Sequence, residues 1–298
     1  MSPGEPTISV VIASRDRREL LARVVGQLVD QLTDGDELIV VDDSAAEVDL
    51  GPSIDARARV LRSGGSGPAI ARNLGWRAAA GELIAFTDDD VLVDAGWLSA
   101  VRAEFRSAPD LVAVEGRTVS RPFDQLYEYS VWSDAAVNGL TCNVAYRRDA
   151  LERIGGFDEN FRFAHCEDVD LFIRACGIGR VEFATSMLVE HLPRPVIPTQ
   201  FARRAGWLAS ERRLFSKHPE RAPYPLPPGL CALIAYLKWP LDHLLGGTDT
   251  AALRDLTRFR RAALLAALWW WHVAKAVPSL ASEPSGSSLS VKPAGKGA

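Results

Sequence analysis

A chain of 298 residues, 47% hydrophobic and 24% charged, can bury a full core and suits one large domain plus an appendage. Its formal net charge of -4 argues against a general nucleic-acid binder, so no nucleic-acid partner is expected. The charge is uneven, because residues 194–261 carry twelve Lys or Arg against five Asp or Glu.

Residues 8–13 form a β-branched run, the mark of a strand buried on both faces. "RRELLARVVGQLVDQL" follows, where Leu20, Val24, Leu28 and Leu32 recur at helical spacing until "TDGDE" ends the helix. "ELIVVDDS" repeats the pattern, an apolar strand over residues 38–41 running into acids. A short strand near Val60 and Leu61 leads to a Gly-rich loop and a helix bracketed by Pro68 and Gly81. "LIAFT" is then a buried strand that runs into Asp88, Asp89 and Asp90. Strand–helix–strand alternation with right-handed crossovers predicts a doubly wound α/β sheet, whose ligands bind beyond the carboxyl ends of the strands. Further on, "LVAVEGRTVS" reads as a strand and "CNVAYRRDALERIGGFDENF" as a strand, a helix and a Gly-Gly turn. "HCEDVDLFIRACGIG" reads as a helix stopped at Gly177, and "RVEFATSMLVEHL" as one or two short strands.

Three adjacent carboxylates repel one another and need a partner. Mg²⁺ or Mn²⁺ favours carboxylate oxygens and leaves positions open for phosphate. Carboxylates at i and i+2 on a turn can face one ion, so Asp88 and Asp90 are the preferred pair; a solvated acidic turn is the alternative. Asp43 sits where an acid can accept from nucleoside hydroxyls, or it caps the turn before Ser44. Arg72 and Asn73 follow the Gly-rich loop, where a guanidinium and backbone N–H groups suit a phosphate; an exposed helix-face arginine is the other reading. Glu167, Asp168 and Asp170 open a helix, where the macrodipole favours negative charge and lowers carboxylate pKa. A carboxylate kept ionised there can take a proton from an attacking hydroxyl, or these acids simply stabilise the helix. His191, after the strand "MLVE", is a ligand type for the same ion, or a structural histidine.

In this order, "ISVVIASRDR", "IVVDDS", "GPAIARNLGWRAAAGELIAFTDDDVLVDAGWL", "NVAYRRDALERIGGFDENF", "EDVDLFIRACG" and "VEH" resemble the inverting family 2 glycosyltransferases of GT-A fold. The resemblance covers about Thr7 to His191. It implies a Rossmann-like, doubly wound mixed sheet over residues 1–193 and transfer of a sugar from a nucleoside-diphosphate sugar to an acceptor hydroxyl. Asp43 then contacts the nucleoside, and Ser14, Arg15, Arg72, Asn73, Asp88 and Asp89 join it around the sugar nucleotide. Asp88, Asp90 and His191 hold Mn²⁺ or Mg²⁺, though register alone does not say whether Asp88 or Asp89 partners Asp90. Asp168 is the general base, with Glu167 beside it as the other catalytic acid. The turn Gly155, Gly156 and Phe157 is similar to a family loop near the acceptor.

Residues 194–280 read as a helical, basic and aromatic extension, and 281–298 as a low-complexity, disordered tail. The apolar runs of the extension, about ten residues each, fall short of the ~20 that span a bilayer. Arg258, Arg260 and Arg261 beside Trp269, Trp270 and Trp271 suit a helix lying on a membrane surface through residues 230–280, or one packed on the domain. The first reading makes a lipid-linked glycan the acceptor; the second leaves a soluble glycan open. Four cysteines without a C-x-x-C pair, and an N-terminus lacking a basic and apolar leader, lead us to expect a cytoplasmic setting, on the cytosolic membrane face if the extension binds lipid. Two rival readings are a catalytically silent sugar-nucleotide binder and a nucleotidyltransferase. The intact acid set opposes the first, and the missing N-terminal glycine loop opposes the second.

Overall fold

The computed structural model describes residues 5–46, 54, 58–124, 127–135, 137–196, 206–234 and 263–271. In chain order the elements are β1 (Ile8–Ser14), α1 (Arg18–Val29), β2 (Glu37–Asp42), β3 (Arg59–Arg62), α2 (Pro68–Ala78), β4 (Leu83–Asp88) and β5 (Val91–Val93). They continue with α3 (Trp97–Ser107), β6 (Leu111–Val119), β7 (Glu128–Tyr129), β8 (Asn143–Arg147), α4 (Arg148–Ile154), α5 (Glu167–Cys176), β9 (Arg180–His191), β10 (Arg194–Pro195) and α6 (Trp207–Lys217).

The main sheet runs β3-β2-β1-β4-β8-β6-β9-β5. Its first four strands are parallel, β8 is inserted antiparallel between β4 and β6, and β5 closes the far edge antiparallel to β9. Alternation within each strand divides the core in two. Ile8, Val10 and Ile12 pack with Leu21, Val24, Leu28 and Trp97 on one face. Val11, Ile39 and Val41 pack with Trp76, Leu151 and Leu171 on the other. Both faces are therefore covered by helices, which is why the strands read as continuous apolar runs.

The phase of α1 differs from the sequence reading. Leu21, Val24, Val25 and Leu28 face the core, Leu20 is half-buried, and the helix ends at Val29, short of Leu32. Apolar residues come there in adjacent pairs, Leu20–Leu21, Val24–Val25 and Leu28–Val29, so spacing alone leaves the face ambiguous by one residue. The stretch after Gly179 is one strand of 12 residues. The sequence reads there as one or two short strands, and the pairing with β6 jumps between Gly116↔Ala184 and Arg117↔Leu188 without ending the strand.

Beyond His191 the described residues stay on the sheet domain. β10 pairs with β7 in a short antiparallel ribbon. A third apolar cluster joins Phe161 and Cys166 to Leu208, Phe215, Cys231, Leu265 and Trp269. α6 is also tied down by charge: Arg213 and Lys217 reach Asp158 at 2.7 and 2.8 Å. Leu264, Trp270 and Trp271 are exposed. Residues 235–262 and 272–298, which include Arg258, Arg260, Arg261 and the predicted tail, lie outside the described residues. No helix among the described residues is long and apolar enough to cross a membrane.

Candidate active site

The parallel strands β1, β2 and β4 deliver their C-terminal ends side by side, with Ala13 paired to both Val41 and Asp88. Ser14, Asp43 and Asp88 to Asp90 therefore crowd one edge. The loop after β1 carries Asp16 with φ 56, and Cys166 with φ 71 immediately precedes Glu167. These are the two left-handed non-glycine residues among those described, and such strain of about 1–3 kcal/mol each gathers where a chain is held for function.

Asp43 is buried, and its carboxylate organises the Gly-rich loop. It accepts from the Ser63 hydroxyl at 2.7 Å and from the Gly67 N–H at 3.2 Å, while Arg15 lies 3.9 Å away and largely exposed. Gly67 has φ 100, and a side chain there would strike the Arg162 carbonyl, so only glycine brings this N–H in. A carboxylate has about four acceptor sites, so Asp43 keeps capacity for ribose hydroxyls or a base N–H.

The three aspartates divide. Asp89 turns inward, accepting from the Ser14 hydroxyl at 2.7 Å and from Arg17 at 2.8 Å. Asp88 and Asp90 instead converge with His191, offering ligand atoms within 4.8 Å of one another. Ser130 donates to the His191 carbonyl at 3.1 Å, so its oxygen, 3.0 Å from Nδ1, accepts the ring N–H. That leaves the Nε2 lone pair facing Asp90 Oδ1 at 3.5 Å. Burial lowers the His191 pKa and favours the neutral ring that can ligate. Asp90 is 1% exposed and its Oδ1 has no hydrogen-bond partner. A buried acceptor and a ring lone pair aimed at each other fit a hard cation between them.

Arg72 is buried, which removes the exposed-arginine reading. It lies in the second turn of α2 and bridges Asp88 at 2.9 Å and Glu167 at 2.8 Å, thereby joining the metal-type cluster to the head of α5. Burial acts to raise the Asp88 pKa, but the charge and hydrogen bond of Arg72 outweigh it and hold the carboxyl below its ordinary value. Asn73 faces away from this cluster. Its amide donates to the Phe157 carbonyl and to Glu159, and its oxygen accepts from the Phe157 N–H and the Trp76 indole. It thus latches the turn at Gly156, where φ is 72 and a Cβ would lie 2.5 Å from the Trp76 indole nitrogen.

At α5 the expectation of lowered pKa values is corrected. Burial, reinforced by Asp168, pushes the Glu167 carboxyl up to about 7 against the pull of Arg72. Burial likewise raises Asp168 against Arg72 and the Val169 N–H. Desolvation in this crevice is stronger than the helix dipole, whose effect fades within one turn. Asp170 is different: it is buried, but hydrogen bonds from Lys217 and His218 and the charge of Arg174 outweigh desolvation and lower its pKa, making it a structural anchor for α6. Close to Asp168 in sequence, His165 stacks on Trp207 with centroids 4.5 Å apart and contacts Glu211 at 3.0 Å.

Three site residues escaped the sequence reading. Arg17 and Arg194 pair with the aspartates, at 2.8 Å from Asp89 and 2.7 Å from Asp90, and Ser130 sets the His191 ring. Arg17 stands inside the "SRDR" stretch, but nothing local marks Arg194 or Ser130, since their partners are distant in sequence.

A mixed sheet with this order and an acidic crevice at its C-terminal edge is the GT-A type of glycosyltransferase fold. The mannosyltransferase PcManGT from Pyrobaculum calidifontis, solved in complex with GDP-Man and Mn²⁺, shares it with a TM-score of 0.57 at 21% identity, over 94% of this chain and 89% of that one. Residues 9–156 match the family described as Glycosyl transferase family 2, and the chain belongs to that family. The pre-mycofactocin glycosyltransferase of Mycobacterium tuberculosis (strain ATCC 25618 / H37Rv) is 31% identical over 87% of this chain and 58% of its own length. The putative glycosyltransferase EpsH of Bacillus subtilis (strain 168) is 27% identical over 59% of this chain and 57% of its own. The chain thus spans about half the length of the curated relatives it matches.

Proposed function

We propose that this chain is a metal-dependent, inverting glycosyltransferase that moves a sugar from a nucleoside-diphosphate sugar to an acceptor hydroxyl. The observation that carries the reading is the convergence of Asp88, Asp90 and His191, tied through Arg72 to the Glu167–Asp168 pair. The GDP-Man and Mn²⁺ complex of PcManGT supports the donor class and the ion.

Asp88, Asp90 and His191 would hold Mn²⁺ or Mg²⁺, which supplies Lewis-acid charge for a diphosphate leaving group. Asp43, with Ser14, Arg15 and the Gly-rich loop around it, receives the nucleoside. Arg72 adds fixed positive charge beside the crevice, prepared before the reaction rather than recruited during it. Asp168 takes the proton from the acceptor hydroxyl as that oxygen attacks the anomeric carbon from the face opposite the leaving group. Its raised pKa suits that task, because a base works best with a pKa approaching the working pH. Glu167 holds Arg72 in place. A single in-line displacement inverts the anomeric centre.

For the acceptor we propose a hydroxyl of a glycan or lipid-linked glycan. The exposed Leu264, Trp270 and Trp271 support a membrane-surface encounter at the cytosolic face. The whole reading is tested by supplying UDP-, GDP- and dTDP-sugars with Mn²⁺ and following the released nucleotide and the product's anomeric proton by NMR. Release of a nucleoside diphosphate with inverted configuration is expected. Pyrophosphate release, or a retained configuration, would overturn it.

A further inference from the structure

Three arginines meet the three adjacent aspartates, and Asp90 Oδ2 meets two of them, since Arg17 also reaches it at 3.3 Å. Arg72 meets Asp88 at 2.9 Å, Arg17 meets Asp89 at 2.8 Å, and Arg194 meets Asp90 at 2.7 Å. The three arginines come from α2, from the loop after β1, and from the β10 ribbon. Their positions make them unequal. Arg72 is 8% exposed and shared between two carboxylates, so it is fixed. Arg17 binds Asp89 most closely, at 2.8 Å, and this second carboxylate, which faces away from the converging ligand atoms, anchors it while it reaches Asp90 at 3.3 Å. Arg194 serves Asp90, which faces toward them, and its side chain is 26% exposed.

The Arg194 contact is also of a looser kind. Its Nε reaches Asp90 Oδ2 at 2.7 Å without the alignment of a directed hydrogen bond. The guanidinium lies over the Tyr129 ring, 5.0 Å from the centroid, and Tyr129 is Arg194's pairing partner in the two-stranded ribbon. A divalent cation between Asp88, Asp90 and His191 would stand close to this guanidinium, where like charges repel and both compete for one carboxylate. The aromatic face offers the guanidinium a resting place that does not depend on Asp90.

We propose that Arg194 is an exchangeable counter-ion: it neutralises Asp90 until a divalent cation takes the Asp88, Asp90 and His191 position, and it then turns on Tyr129 to bind the diphosphate of the donor. The inference rests on the metal–diphosphate reading of the site and adds a residue and an order of events to it. One guanidinium thereby opposes the bare metal yet favours the metal together with its anion, so cation and diphosphate bind cooperatively.

The test measures Mn²⁺ binding alone, and then inorganic pyrophosphate binding in saturating Mn²⁺, by titration calorimetry on the full chain. In Arg194→Gln, Mn²⁺ alone is expected to bind about 3–10-fold more tightly and pyrophosphate about tenfold more weakly, opposite shifts that loss of a structural contact does not produce. Arg194→Lys keeps the charge and loses the planar fork, so its Mn²⁺ affinity should stay near wild type while pyrophosphate still weakens. Unchanged or weaker Mn²⁺ binding in Arg194→Gln overturns the proposal, as does unchanged pyrophosphate binding. Should that variant fail to fold, wild-type pyrophosphate affinity in Arg194→Lys overturns it instead. If the wild-type chain binds neither probe, the metal–diphosphate reading itself fails; if it binds both and only the opposite shifts are missing, the role given to Arg194 fails alone.

Discussion

Asp168→Asn should reduce sugar transfer by about 10²–10⁴-fold, the usual contribution of a positioned general base, while leaving fold and metal-dependent nucleotide binding intact. The local contacts explain why these effects separate. Asp168 stands half-buried in the first turn of α5, and its carboxylate accepts from the adjacent Val169 N–H at 2.8 Å. Asparagine matches it in shape and keeps an oxygen for that N–H, but it cannot take a proton from an acceptor hydroxyl. Its neighbour behaves differently. Glu167 is buried against Arg72, so Glu167→Gln is primarily a change in the support of Arg72. Steady-state rates with circular dichroism and nucleotide titration check the pair. Wild-type turnover in a folded Asp168→Asn protein would remove this residue from the mechanism.

Arg72→Ala should have the largest effect on stability, because it strips two carboxylates of one buried cation. Breaking a buried ion pair by removing one partner costs about 3–5 kcal/mol. At about 2–4 °C per kcal/mol for a chain of this class, melting should fall by roughly 6–20 °C. The loss should also depend on pH. Glu167 already has a folded-state pKa raised to about 7, above the ordinary 4.5, with Arg72 pulling it down. A carboxyl raised on folding binds more protons in the folded state, so its favourable contribution is complete below about 4.5 and is lost as pH rises through about 7. Without Arg72 that folded-state value climbs further and the loss extends to higher pH. The variant should therefore melt closer to wild type at pH 5 than at pH 8. A gap between variant and wild type that is independent of pH would show that Glu167 is not left as an unpaired acid.

Much of this site was legible because the chemistry lies at strand ends. Apolar runs ending in Asp42 and Asp43, or in Asp88 to Asp90, are local signals, and parallel pairing of β1, β2 and β4 places them together. The question of which aspartate partners Asp90 was not legible, because it turns on which way the central carboxylate points. Ser14 and Arg17 draw Asp89 inward, across 75 and 72 residues of sequence. Arg194 was hidden for a related reason: it lies just past the 1–193 boundary, whereas the structure returns it to Asp90 through the pairing of β10 with β7. Glu167 and Asp168 show where a correct local rule is overridden. Their place at a helix N-terminus is readable, but the burial that raises their pKa values comes from elements far away in sequence. Asn73 is similar, since only the fold reveals that its amide is spent on the Phe157 turn.

Whether Asp88, Asp90 and His191 carry a metal-held nucleoside diphosphate is read most directly by thermal melting of the purified chain with UDP, GDP or dTDP, each in Mn²⁺ and in EDTA. One of these nucleotides is expected to raise the melting temperature in Mn²⁺ and to lose that effect in EDTA. Equal stabilisation in EDTA, or none by any of the three in Mn²⁺, would contradict that expectation.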